Sequence, residues 1–140
     1  ANNGDGEFGF AMTKDIILMR LGETYLLLAE AQVKQGKLQQ AADAINILRT
    51  RAQAPQVTAA QMTLDFILDE RARELIGEEN RRMTLMRTGK LVERALALNA
   101  NNGTGTTPIA GLTSKNLLLP IPKSEIDLNK DARLEQNTGY

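Results

Sequence analysis

Three glutamates, Glu70, Glu74 and Glu78, recur at four-residue spacing and are the residues of this sequence whose type and placing best suit chemistry. On a helix that spacing puts carboxylates above one another on one face. Two carboxylates flanking a glycosidic bond can serve as acid and base in its hydrolysis. Arginines are interleaved with them, Arg71 and Arg73, with Arg81 and Arg82 beyond. A lattice of ion pairs along a helix surface accounts for the same run without catalysis, and the interleaving favours it. No catalytic residue is assigned.

Other chemistries are closed off by composition. The 140 residues contain no Cys and no His, which excludes disulfides, thiol nucleophiles, ordinary zinc sites and a Ser-His-Asp triad within this sequence. No cofactor or metal site is expected. Lys plus Arg is 17 and Asp plus Glu is 17, so no basic field invites nucleic acid. Aromatics make up 4 %, with no Trp, which is poor material for stacking on sugar rings or bases. Apolar residues at 42 % are enough for a packed core and too many for disorder.

The elements that must carry these charges are helices. Asp15 to Val33 is apolar nearly all round, which predicts a first helix buried on more than one face in a layered helical packing. Gly36 suits the left-handed position that ends it. A second helix runs from Leu38 to about Ala52, with Leu38, Ala41, Ala42, Ile45, Leu48 and Ala52 on one face. Pro55 closes it. Together residues 15–53 form a helical hairpin of tetratricopeptide-like pattern. Tyr25 takes the large first position, Leu28-Ala29 the next pair, Gly36 the turn, and Ala41 and Ile45 the second helix. Three charges interrupt the first helix: Arg20, Glu23 and Glu30. Buried charges cost several kcal/mol unless paired, so they are expected to meet partners from another helix. Arg49, Arg51, Glu70 and Arg71 are the candidates, with a role in fixing the packing.

Thr58 to Gln61 reads as a capping box before a third helix, whose stripe is Leu64, Ile67, Leu68, Leu75 and Ile76. Met83 to Arg87 continues it or forms a separate turn, Thr88-Gly89 breaks the pattern, and Lys90 to Leu98 is a fourth helix. Residues 1–12 read as a Gly-rich, flexible lead-in and 99–113 as a mobile loop. Two prolines two residues apart force Leu117 to Pro122 to be extended. This apolar segment is expected to pack as a buried strap, with docking of a polyproline-type partner as the other option. Ser124 with Asp127 is expected to cap a last helical turn, and Gln136 to Tyr140 a terminal turn. Tyr25 and Phe66 are expected in the core.

Several blocks in this order resemble one family. They are Asp15-Ile16-Ile17-Leu18-Met19-Arg20 with Tyr25-Leu26 and Ala29-Glu30-Ala31; Ala44-Ile45-Asn46 with Arg49-Thr50-Arg51-Ala52; Glu70-Arg71 with Glu74-Leu75, Arg81, Leu85 and Arg87-Thr88-Gly89-Lys90; and Leu119-Pro120-Ile121-Pro122 with Gln136-Asn137-Thr138-Gly139-Tyr140. Their order and spacing are similar to the C-terminal part of the SusD/RagB family of outer-membrane nutrient-binding lipoproteins. The sequence departs from that pattern at Glu79, Arg82, Met83, Thr84 and Thr138.

The resemblance implies an all-α fold with tetratricopeptide-like hairpins and a long irregular C-terminal segment. It implies a non-catalytic, surface-exposed, lipid-anchored protein of the outer membrane, its anchor upstream of these residues. Such a protein captures glycans or other nutrients and delivers them to a TonB-dependent, SusC-like transporter. No ligand residue of the family maps onto a motif here, so the glycan is expected to bind elsewhere, and the ligand-binding residues are unknown. The other function class is a tetratricopeptide-like protein-docking module with no sugar ligand.

Overall fold

The computed structural model describes residues 18–99 and 111–140. The lead-in expected over 1–12 and most of the loop expected over 99–113 lie outside them. Among the described residues the chain is helical, with α1 (Leu21–Lys34), α2 (Leu38–Arg51), α3 (Leu64–Glu74), α4 (Arg81–Arg87), α5 (Leu91–Leu98) and α6 (Lys123–Leu128), and without strands. Two compact units divide it, Ala1–Glu79 and Asn80–Tyr140.

In the first unit α1 and α2 form the expected hairpin. Glu23 in the first turn of α1 and Lys34 in the last complement the helix dipole. A Schellman turn ends the helix: Gly36 N–H bonds Val33 O at 3.0 Å and Lys37 N–H bonds Gln32 O at 2.9 Å. Gly36 stands at φ 73°, which only a residue without Cβ adopts cheaply. α2 ends in the same way, with Gln53 N–H on Thr50 O and Ala54 N–H on Arg49 O. Here the left-handed residue is Gln53, at φ 54°, and Pro55 follows. Nothing in the type of Gln53 announces that conformation.

The seam of the hairpin is small and apolar. Leu26 and Ala29 from α1 meet Ala41, Ala42, Ile45 and Leu48 from α2, all buried, and the alanines let the two backbones approach. Ile67 from α3 and Leu75, Val57 and Met62 complete the cluster, with Tyr25, Val33 and Phe66 packed against it. The core places expected for Tyr25 and Phe66 are thus occupied. Asn46 ties the link after α2 to the helix: its side chain bonds both Val57 C=O (2.9 Å) and Val57 N–H (2.8 Å).

Four expectations need correction. The first helix was expected from Asp15; residues 15–17 lie outside the described ones, and among those described the helix starts at Leu21, with Arg20 extended (φ −133°, ψ 164°). It was also expected to be buried on more than one face. Instead α1 packs against α2 and α3 and leaves Leu21, Leu27, Leu28 and Ala31 exposed. The all-round apolar pattern therefore marks a second face that these residues do not cover. The capping box at Thr58–Gln61 is present, with Thr58 N–H on Gln61 Oε1 at 2.9 Å, but it closes one 3-10 turn, Ala59–Gln61. α3 starts three residues later under its own cap, Thr63, whose hydroxyl accepts from Phe66 N–H at 3.1 Å. Finally, Ile76 leaves the apolar stripe of α3 and is 82 % exposed, because α3 stops at Glu74 and the chain turns through Gly77.

In the second unit Met83 to Arg87 belongs to a separate helix, α4. Asn80 caps it, and Gly89, at φ 70°, ends it. α5 packs against α4, and Leu85, Leu91 and Ala95 are buried. A 3-10 turn at Ser114–Leu117 takes in Leu117, so the extended segment expected from Leu117 begins one residue later and runs from Leu118 to Pro122. Pro122 precedes α6, which has no side-chain cap. Ser124 lies inside the helix, and the side-chain tie is Lys123 to Asp127 at 3.3 Å, in place of the expected Ser124–Asp127 cap. The terminal turn expected over Gln136 to Tyr140 is present, closed by Tyr140 N–H on Asn137 O at 3.2 Å.

Candidate functional site

The charges on α3 join three helices. Just before α1, Arg20 bonds the Glu74 carboxylate (2.6 Å), the Glu74 carbonyl and the Glu78 carboxylate. Glu23 of α1 accepts from Arg71 Nη2 at 2.9 Å, and Arg71 Nε bonds Glu79 at 2.6 Å. From α2, Arg49 Nη1 meets both oxygens of Glu70 (3.0 and 2.9 Å), and Arg51 bonds Glu74. Arg73 also bonds Glu70. The pairings expected for Arg20 and Glu23 with another helix are therefore made, Arg20 through Glu74 and Glu78 instead of Glu70. The bond made by Glu30 to Lys34 Nζ at 2.7 Å stays on its own helix, a partner outside the candidate set.

Gly22 makes the Arg20 tie possible. A Cβ at that position would stand 2.5 Å from Arg20 Nη1 and 2.7 Å from Glu74 Oε1. The Glu78 carboxylate, and after it Glu74, hold the Arg20 guanidinium above its ordinary pKa through hydrogen bonds.

The expected ion-pair lattice exists, but the surface placing is corrected. Arg71 is 1 % exposed and Glu70 6 %, so part of the lattice lies inside the packing of the three helices. The candidate set named from the sequence held the Arg71 partner of Glu23, while spacing along α3 alone did not single out Glu74 and Glu78 for Arg20.

The carboxylates do not converge on a shared cleft. Glu70 is met by Arg49 and Arg73, Glu74 by Arg20 and Arg51, and Glu78 by Arg20. A paired acid and base needs two carboxylates facing one bond across an open gap; arginines fill the gaps here. Among the described residues no group of three or more His, Cys, Asp or Glu is placed to hold a metal ion.

One concavity in the first unit is large enough for a small ligand. It lies between α2, the link after it and α3, with a volume of about 510 Å³. Its lining includes the apolar Leu48, Val57 and Phe66, the donors Arg49, Gln61 and Arg73, and the carboxylates Glu70 and Glu74. The Arg73 guanidinium stands over the Phe66 ring, 5.7 Å from its centroid. No signal in the sequence pointed to this groove, because its residues come from three separate segments.

In the second unit the C-terminal residues hold the extended segment. Gln136 bonds both Ile121 N–H and Ile121 C=O, each at 2.8 Å. Asn137 Nδ2 bonds Leu119 C=O at 2.7 Å, and Tyr140 OH bonds Leu118 C=O at 3.1 Å. The segment is fixed, as a strap should be. It is not buried: Leu118 is 56 % and Leu119 63 % exposed, which corrects that part of the expectation. Among the described residues no helix is long and apolar enough to cross a membrane.

Comparison with known proteins agrees with the architecture. A family model described as the SusD family matches residues 8–140. The starch-binding protein SusD of Bacteroides thetaiotaomicron is 36 % identical over 127 residues, covering 90 % of this chain and 22 % of the relative. SusD-like protein P38 of Formosa agariphila is 31 % identical over 137 residues, covering 90 % of this chain and 25 % of that protein. Among solved structures, surface glycan-binding protein A from Bacteroides thetaiotaomicron, in complex with laminarihexaose, is 32 % identical. It superposes with a TM-score of 0.64 over 87 % of this chain and 24 % of its own. The chain thus spans about a quarter of the length of the relatives it matches.

Proposed function

The chain belongs to the SusD family, and from that membership we propose that it is the helical scaffold of a surface glycan-binding protein. In this reading a polypeptide of the relatives' full length is lipid-anchored in the outer membrane. It captures an oligosaccharide without cleaving it and delivers it to a TonB-dependent, SusC-like transporter. The observation that carries the reading is the match over residues 8–140 to a family whose relatives include a starch-binding protein and a structure holding laminarihexaose.

The role within that protein follows from what this chain does with its aromatic rings. A neutral glycan is gripped by aromatic faces with polar groups beside them. Tyr25 and Phe66 pack on the core, and the Tyr140 hydroxyl is spent on Leu118. Among the described residues no pair of open rings forms a platform, so the main glycan surface is assigned to other parts of the polypeptide.

Native-gel affinity electrophoresis tests this. The full-length polypeptide is retarded in gels containing starch or laminarin, and the 140-residue chain runs as in a blank gel. Strong retardation of the short chain by a neutral glucan overturns the scaffold role. A second reading, a protein-docking module, is favoured by the apolar face that α1 leaves open at Leu21 and Leu28. Capture of a protein partner by a full-length polypeptide that no glycan retards decides for it.

A further inference from the structure

We infer that the groove between α2 and α3 is an accessory subsite for an acidic saccharide, one carrying a uronic acid carboxylate. The inference rests on the glycan-binding reading above and adds to it a ligand contact within this chain. Four observations lead to it.

The groove holds about 510 Å³, within the roughly 300–1,000 Å³ usual for ligand pockets. Its apolar lining, Leu48, Val57 and the aromatic Phe66, suits the C–H face of a sugar ring.

The polar groups in its lining offer donors. Arg49 spends Nε on Pro55 O and Nη1 on Glu70, which leaves Nη2. Arg73 spends Nε and Nη2 on Glu70, which leaves Nη1. Gln61 uses its Oε1 on Thr58 and keeps its amide N–H groups. Gln61 and Arg73 are exposed residues, and Arg49 Nη2 is not among the buried atoms lacking a partner.

Arg49 and Arg73 equal Glu70 and Glu74 in number among the residues lining the groove, but both carboxylates are already occupied by guanidinium groups. Glu70 faces both Arg49 and Arg73, and Glu74 is already shared by Arg20 and Arg51. A ligand that brings acceptors and a negative charge completes this arrangement, since guanidinium-to-carboxylate hydrogen bonds are about twice as strong as neutral ones. A neutral glucan gains little from it.

The test is a titration of the 140-residue chain with trigalacturonate, followed by backbone amide NMR, beside maltotriose as the neutral probe and triglutamate as the acidic peptide probe. Trigalacturonate is expected to give saturable shifts in the millimolar range at Gln61, Phe66 and Arg73, and maltotriose none. Arg73→Gln, at a largely exposed position, is expected to weaken trigalacturonate about ten-fold, the loss of one charge-assisted hydrogen bond. Arg73→Lys is expected to recover only part of it, because the fork is lost. Equal binding of maltotriose, equal or tighter binding of triglutamate, shifts confined to other residues, no saturable shift, or an unchanged affinity in Arg73→Gln each overturn the subsite. Retardation of the full-length Arg73→Gln polypeptide by starch or laminarin tests the family reading independently. It stays at the wild-type level if only the subsite inference fails.

Discussion

Replacing Arg71 by Met should be the most damaging single change in the first unit that keeps side-chain volume. Arg71 is 1 % exposed and joins Glu23 of α1 to Glu79, whose side chain is 5 % exposed. Met fills most of the space that the arginine stem occupied, so little cavity is created. The loss is electrostatic. Glu79 keeps its charge, stays nearly buried and loses a guanidinium 2.6 Å away. Breaking a buried pair by removing one partner costs about 3–5 kcal/mol, a large share of a domain stability of about 5–15 kcal/mol. At roughly 4–8 °C per kcal/mol for a unit of this size, a loss of about 3 kcal/mol lowers the melting midpoint by roughly 12–24 °C. Urea unfolding followed by circular dichroism at 222 nm measures it, with Arg73→Met as the control. Arg73 is 55 % exposed and pairs with Glu70 along its own helix, so that change should cost less than about 1 kcal/mol. Adding Glu23→Gln and Glu79→Gln to Arg71→Met should recover most of the loss, because the stranded charges are removed. If Arg71→Met falls within about 1 kcal/mol of the wild type, or the triple variant is no better than the single one, the buried pairing is not what holds α1 to α3.

Three further outcomes can be checked on the same chain. Gln53→Gly should raise stability by about 1 kcal/mol in urea unfolding, because a residue with a Cβ pays for the left-handed conformation at φ 54° and glycine does not. Asn46→Leu should lower it by about 1–3 kcal/mol, since the nearly buried Val57 N–H and C=O lose both partners at once. The tie at Arg20 should be insensitive to pH over the usual range. A base whose folded pKa is raised stabilises fully below its unfolded value and loses that contribution only as pH rises through the folded one, which for the Arg20 guanidinium is pushed further up by Glu78 and Glu74. Arg20→Lys moves that window down towards the lysine value of about 10.4, so thermal melts at pH 10–11 should separate the two proteins, and at pH 7 much less.

How much of this was legible in the sequence follows from the range of each interaction. The hairpin was readable because Ala41, Ala42, Ile45 and Leu48 repeat at helical spacing and Gly36 names its own conformation. The all-helical class and the family blocks were readable for the same reason: they are local patterns in a fixed order. The start of α1 was not. Arg20 looks like any helix former in the window 15–33, and its partners are Glu74 at the end of α3 and Glu78 beyond it, more than fifty residues away. The depth of Arg71 was missed because charge in a helix ordinarily faces water. The exposure of Leu118 and Leu119 reversed an argument from hydrophobicity alone; their carbonyls are satisfied by Asn137 and Tyr140, so the backbone is held without burial of the side chains.

Asn46 and Gln136 do the same job in different units, and that job amounts to a latch. Each is a single amide side chain that meets both backbone groups of one distant residue, Val57 and Ile121. The connecting segment is then closed into a ring between residues 11 or 15 positions apart by one rotatable group. A rotation about one χ bond releases both contacts together, so each ring has a closed state and an open state with little between them. A protease meets the chain through those open states. Cleavage after Arg51 and after Lys123, basic residues inside the two rings, should therefore follow how often Asn46 and Gln136 let go.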